Sequence, residues 1–202
     1  MKTKKVKGFT LVELIVVIAI IGVLAAILVP SMLGYVKKSK VSSANTSASS
    51  IYKALNTALT DMDGEGIDMG GNYRVTYAHE TAFVANTSTF TAKTDTAFTS
   101  SVVPTTFDGK KLAQKVHNYF EDMNKCTIQA LIEGGTCKAV GCASDTTYAG
   151  SHPAVVTVDN YKKYDVAKAC TNAYKKALGT YKDSDDGTTD AANNGYNATP
   201  TP

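Results

Sequence analysis

The chain has little of what catalytic and metal sites are built from. Its three histidines, His79, His117 and His152, stand in unrelated contexts, and His79-Glu80 lacks the second His that a helical zinc motif needs. No G-x-S-x-G, P-loop or dinucleotide-binding pattern occurs, so an enzyme is not expected, nor a bound cofactor. The four cysteines, Cys126, Cys137, Cys142 and Cys170, are spaced C-x10-C-x4-C-x27-C without a C-x-x-C pair. That spacing disfavours a zinc ribbon or redox site and leaves metal binding unsupported. Charge is also scarce: the net value is +3, and Lys2, Lys4, Lys5 and Lys7 alone exceed it. The remainder offers no basic surface for nucleic acid.

Apolar residues make up 44% of the 202 positions but are concentrated at one end, while the rest is rich in Thr, Ser, Asn and Gly. Residues 9–29 form a nearly unbroken apolar run. As a helix rising about 1.5 Å per residue it spans about 31 Å, the thickness of the bilayer hydrocarbon. It outruns the roughly 7–15-residue core of a cleaved secretory signal, and no small-x-small site closes it. Glu13 interrupts the run near its start, where Leu, Ile or Val would insert at lower cost, so the carboxylate points to a specific function. Gly22 and Pro30 weaken the helix locally. Pro30 marks either a kink or melted turn, or the point where the chain leaves the membrane. Lys37, Lys38 and Lys40 flank the far end almost as heavily as the leader lysines flank the near end, so charge alone barely selects an orientation.

Lys7-Gly8-Phe9-Thr10-Leu11-Val12-Glu13, followed by the apolar stretch and Pro30, resembles the processing and assembly motif of type IV prepilins and pseudopilins. The resemblance covers residues 1–40. It implies cleavage between Gly8 and Phe9 by a membrane-embedded prepilin peptidase, N-methylation of Phe9, and pairing of Glu13 with the Phe9 amine of a neighbouring subunit. It further implies a homo-oligomeric helical filament, an inner assembly machinery as partner, a single-pass membrane pool with the head outside the cytoplasm, and a pilus at the cell surface. A minor pilin or pseudopilin of a secretion or DNA-uptake apparatus shares these motifs. A membrane-anchored binding module that never polymerises would not need Glu13.

Beyond Pro30, Val41, Ala44, Ala48, Ile51, Leu55, Ala58 and Met62 recur at helical spacing, which extends the same helix to about Asp63. The alanines suit packing against a sheet of the same chain better than a coiled-coil seam. Asp61-Met62-Asp63-Gly64-Glu65-Gly66 has the alternation of a calcium loop, but Asn72 stands where the closing acid belongs, which favours a Gly-stopped helix end. Strands are predicted at 73–78, 127–133, 136–140 and 154–159, the middle two joined by Gly134-Gly135 as a hairpin, and helices at 110–123 and 161–178. The fold class is α+β, a type IV pilin-like long helix on an antiparallel sheet with extra short helices. Its parts are a leader (1–8), a membrane and filament-core half-helix (9–35), an amphipathic half-helix (36–63), a head (64–182) and a flexible tail (183–202). An exported head favours two disulfides. A hairpin centred on Gly134 sets Cys126 opposite Cys142, which leaves Cys137 with Cys170.

Overall fold

The computed structural model describes residues 9–145 and 147–186; Gly8 with the rest of the leader, and positions 187–202 of the expected tail, lie outside them. Two compact units divide the chain, Met1–Ser39 and Lys40–Pro202. Helix α1, Leu11–Gly64, is assigned without a break across Gly22 and Pro30. It ends because Gly66 adopts φ +77°, which brings Gly66 N–H onto Asp63 O at 2.9 Å and Ile67 N–H onto Met62 O at 3.0 Å. These two bonds form a Schellman stop, so the acidic cluster here is a helix terminus.

The second unit is built on a five-stranded antiparallel sheet in the order β2-β1-β3-β4-β5. The strands are β1 Asn72–Tyr77, β2 Thr91–Lys93, β3 Thr127–Glu133, β4 Thr136–Ala143 and β5 Ala149–His152, with helices α2 Gly109–Tyr119 and α3 Val166–Ala177 between and after them. Alternation along the strands separates two cores. On one face Ala48, Ile51, Leu55, Ala58 and Met62 of α1 pack with Tyr73, Val75, Ile128, Ala130, Ile132 and Val140, so the alanine-rich stripe is buried within its own chain. On the other, Ala169, Cys170, Ala173 and Tyr174 of α3 pack with Leu131, Ala139 and Ala149. The α3 face is shorter than its sequence suggests, for Ala177 and Leu178 are exposed.

Gly134 and Gly135, at φ +57° and +75°, make the two-residue turn between β3 and β4. The register differs from a hairpin centred on Gly134. Glu133 pairs with Thr136, a bulge follows at Leu131/Ile132, and beyond it Ile128 faces Cys142 and Thr127 faces Ala143. Cys126 is therefore diagonal to Cys142 rather than opposite it; a two-residue turn and one extra residue in β4 account for the shift. The strand expected at 154–159 is also displaced, to Ala149–His152. Pro153 has no amide hydrogen to continue the ladder, so Val155 and Val156 are buried in irregular chain. The helix expected at 110–123 stops at Tyr119, with a separate 3-10 turn at Glu121–Lys125. The one expected at 161–178 begins at Val166 behind the N-cap Asp165, whose carboxylate accepts Lys168 N–H at 2.7 Å. The segment expected to be a tail from Asp183 opens with a 3-10 turn, Asp183–Asp186, tied to α3 by Lys175 Nζ on Asp185 Oδ1 at 2.8 Å.

Arg74 is the polar centre of the α3 face. It is 4% exposed. Its guanidinium donates to Asp95, to Gln129 Oε1 at 2.8 Å and to Thr171 Oγ1 at 2.8 Å, linking β1, β3, α3 and the loop after β2. Burial acts to raise the Asp95 pKa, but Arg74 and the Ala97 N–H outweigh it and hold the carboxyl below its ordinary value of 3.8. Hydrogen bonds from Lys111 and Lys115 similarly push exposed Glu65, at the end of α1, from 4.5 to about 2.

Two outcomes follow. Arg74→Ala leaves Asp95 without its counter-charge and should lower stability by about 3–5 kcal/mol in urea titrations. Carboxyls depressed on folding stabilise above their unfolded pKa and lose that contribution as pH falls through the folded one. The two carboxyls should therefore make the wild-type urea midpoint decline below pH 4.5, in addition to the loss that the lowered His152 pKa brings below 6.5, and Arg74→Ala should decline less steeply below 3.8. Second, a Cβ on Gly150 would stand 2.1 Å from Ala44 C and 2.5 Å from Asn45 N. Gly150→Ala should cost about 1–3 kcal/mol or more in the same assay, and wild-type stability would contradict the close seating of β5 on α1.

Candidate functional site at the start of the long helix

The first residues described, Phe9 to Glu13, build a compact polar cap on an otherwise apolar helix. Thr10 precedes α1. Its backbone N–H and its hydroxyl both donate to Glu13 Oε2 at 2.8 Å, and Glu13 N–H donates to Thr10 Oγ1 at 3.3 Å. Leu14 N–H closes the first helical turn on Thr10 O at 3.3 Å. This is a capping box: two backbone donors that the helix cannot satisfy are satisfied reciprocally by Thr10 and Glu13. The carboxylate also lies at the positive end of the helix dipole. The T-x-x-E spacing before an apolar run is the signal that announces it, and it is missed when Glu13 is read only as a partner for another chain.

From Phe9 to Lys40 every side chain is exposed. Phe9 is 91% exposed, and nothing beyond the helix's own neighbouring backbone lies within 4 Å of a Cβ placed on Gly22 or Gly34. The helix is long and apolar enough to cross a membrane. Among the described residues the site thus consists of an exposed aromatic residue, a capped carboxylate one turn later, and an exposed apolar helix.

The other candidate residues lie elsewhere. All four cysteines are buried thiols. Cys126, Cys137 and Cys142 pack on the α1 side of the sheet and Cys170 on the α3 side, although the thiols of Cys137 and Cys170 both reach Ala139 O, at 3.6 and 3.7 Å. His117 stacks on Phe83 with ring centroids 4.0 Å apart. His152 packs on Tyr52 at 4.4 Å, its pKa lowered by burial and by Lys53. Among the described residues no three His, Cys, Asp or Glu side chains are grouped to hold a metal.

Residues 3–29 match the prokaryotic N-terminal methylation motif. The chain is similar to the type IV major pilin protein PilA of Myxococcus xanthus, 42% identical over 57 residues, covering 28% of this chain and 26% of that protein. It is also similar to the type IV major fimbrial protein FimA of Dichelobacter nodosus, 46% identical over 55 residues, covering 27% and 35%. A fimbrial protein of Moraxella nonliquefaciens is 49% identical over 51 residues, covering 25% and 33%. The matches span about a quarter to a third of these relatives. No solved structure matches significantly.

The capping box predicts that Thr10→Val weakens the helix start by about 1 kcal/mol while Thr10→Ser preserves it. Amide hydrogen exchange at Glu13 of the full chain in detergent micelles should accelerate in the first variant and not in the second. Equal rates in Thr10→Val and wild type would rule out the cap.

Proposed function

We propose that this chain, a member of the type IV pilin family by its N-terminal segment, is a structural subunit of an extracellular type IV pilus assembled from a membrane pool. The observation that carries the reading is the conjunction at the helix start: the methylation motif, an exposed Phe9, a capped Glu13, and an apolar helix exposed among the described residues. Such a rod requires a bilayer or other copies of itself, and a filament of staggered parallel helices supplies the second. Curated relatives named as major pilins favour the major subunit over a minor pilin or pseudopilin.

In this reading a prepilin peptidase cuts between Gly8 and Phe9, and the new amine is methylated. Methylation leaves the amine cationic. The Phe9 ammonium of one subunit then meets the Glu13 carboxylate of its neighbour in a core from which water is excluded. Neither charge is tolerable there singly, so the pair fixes axial register more than it adds stability. Before assembly the same carboxylate serves the cap, where Thr10 supplies two neutral donors. The head contributes the outer surface.

Glu13→Leu should be processed at Gly8 and inserted normally, since removing a carboxylate from the apolar segment is neutral or favourable in the bilayer. In the filament it strands a neighbour's ammonium, at a cost of about 3–5 kcal/mol per subunit. Sheared surface filaments should therefore fall below detection on immunoblots while the membrane pool persists. In wild type the same filaments should yield, by mass spectrometry, a chain starting at methylated Phe9. Wild-type filament yield from processed Glu13→Leu protein would overturn the pairing, and an unprocessed chain with no surface filament would overturn the pilin reading itself.

A further inference from the structure

Residues 31–38 carry polar groups that the pairing of Glu13 leaves unused. The run at 9–29 already matches the bilayer hydrocarbon, yet exposed apolar side chains continue through Met32, Leu33 and Val36. From Phe9 to Val36 an α-helix rises about 42 Å, the thickness of a bilayer with its headgroups rather than of the hydrocarbon alone. The residues after Pro30 are therefore at the right distance to lie among headgroups. Within them Ser31, Gly34, Tyr35 and Lys38 stand at i, i+3, i+4 and i+7 of α1. That spacing gathers them on one flank about 100° wide and sends Met32, Leu33 and Val36 to the other side, with Lys37 at the edge between. Tyr35 is 76% exposed, and Ser31, Lys37 and Lys38 are exposed as well. Among the described residues none of these four side chains has a hydrogen bond or ion pair within the chain.

Gly34 puts no side chain between Ser31 and Lys38, and nothing beyond the helix's own neighbouring backbone lies within 4 Å of a Cβ placed there. The flank thus has a notch bordered by a hydroxyl one turn before it, a phenol beside it and an ammonium one turn after it, all hydrogen-bond donors. Helical side chains lean toward the N-terminus, so both lysines reach back toward the bilayer. Lys40 is engaged elsewhere, 3.9 Å from Asp145 and over the Tyr148 ring. Two cations at the end of the span that faces away from the leader run against the usual positive-inside bias and require an anion at that depth. We propose that Ser31, Gly34, Tyr35 and Lys38, with Lys37 at their edge, bind the phosphate of an anionic phospholipid in the leaflet where the apolar run ends. Lys38 supplies the charge-assisted contact, the Tyr35 and Ser31 hydroxyls donate beside it, and Met32, Leu33 and Val36 lie against acyl chains. Its occurrence in the cell rests on the membrane-pool reading above; the chemistry of the flank does not.

The test uses the full chain reconstituted in vesicles of phosphatidylcholine alone, and of two parts phosphatidylcholine to one part phosphatidylglycerol. A water-soluble acylating reagent labels exposed lysines, and tandem mass spectrometry reads each rate relative to Lys53, an exposed lysine of the second unit. Phosphatidylglycerol should slow the labelling of Lys38 by about fivefold, and that of Lys37 less. Ser31→Ala combined with Tyr35→Phe should restore most of the Lys38 rate and leave Lys37 as it was. Equal rates for Lys38 in the two kinds of vesicle would overturn the proposal. So would equal slowing of Lys37 and Lys38 that ignores the two substitutions, since a diffuse surface potential acts on both alike. Protection of Lys38 by inorganic phosphate in phosphatidylcholine vesicles would overturn a lipid as the ligand. No filament forms in this assay, so a cell without surface filaments would overturn the subunit reading and leave the lipid site standing.

Discussion

An apolar helix surface that is exposed among the described residues is the constraint on which the rest of the molecule depends. Nineteen large apolar side chains between Phe9 and Val36 are exposed. At about 1.5–3 kcal/mol for each Val, Leu, Ile, Phe or Met kept in water, the unmet burial is on the order of 30–50 kcal/mol. That exceeds the whole stability of an ordinary domain, about 5–15 kcal/mol. A dissolved monomer is therefore not an accessible state, and in the proposed function the segment exchanges one apolar surrounding for another. A bilayer and a bundle of identical helices are nearly equivalent in that respect, so transfer between them turns on the few polar groups the segment carries. Thr10 and Glu13 are the polar groups at its start.

The second half of the same helix meets the opposite demand, because it must approach a sheet closely and leave no backbone group stranded. Ala44 sits where Gly150 of β5 leaves no room for a Cβ, and Ala48 and Ala58 are completely buried. The β4–β5 margin of the sheet is closed by two asparagines on the helix. Asn45 accepts Ser151 N–H at 2.8 Å and donates to Val156 O at 2.9 Å. Asn56 accepts Cys137 N–H at 3.0 Å and donates to Cys137 O at 3.3 Å. Edge amides that could template another strand are thus paired within the chain. Asn45 also heads a glycosylation sequon, but its amide is already spent on this bridge, which makes it a structural residue.

What the sequence disclosed depended on how local the signal was. The stripe from Val41 to Met62 and the turn at Gly134-Gly135 depend on helical period and φ, so they read directly from the residues. The register of β3 on β4 did not, since a single extra residue in β4 moves every pair beyond it and no residue type announces a bulge. The fifth strand was misplaced because Val155-Val156-Thr157-Val158 has the β-branched composition of a strand, whereas Ala149-Gly150-Ser151-His152 has none of it. β5 exists because α1 needs a strand without side-chain bulk at that edge, a tertiary reason that local propensity cannot express. Arg74 escaped notice for the same reason: its partners Asp95, Gln129 and Thr171 are far away in sequence.

Glu13 shows how one carboxylate can serve both surroundings of the helix. Among the described residues its hydrogen-bond partners are Thr10 N–H and Thr10 Oγ1, neutral donors that do not compensate the negative charge. At one end of a bilayer-length helix that charge is bearable, because the carboxylate reaches the interface. Within the proposed filament no interface exists, and the charge demands a cation at the same height along the axis. In that proposal the cation that every copy would offer is the N-terminus left by processing at Gly8, one helical turn before its own Glu13. Only a subunit displaced along the axis can offer it to another copy's carboxylate without breaking the cap geometry. The requirement for neutrality therefore selects a stagger, and the 3-residue spacing of the capping box keeps the carboxylate from wandering before a neighbour arrives.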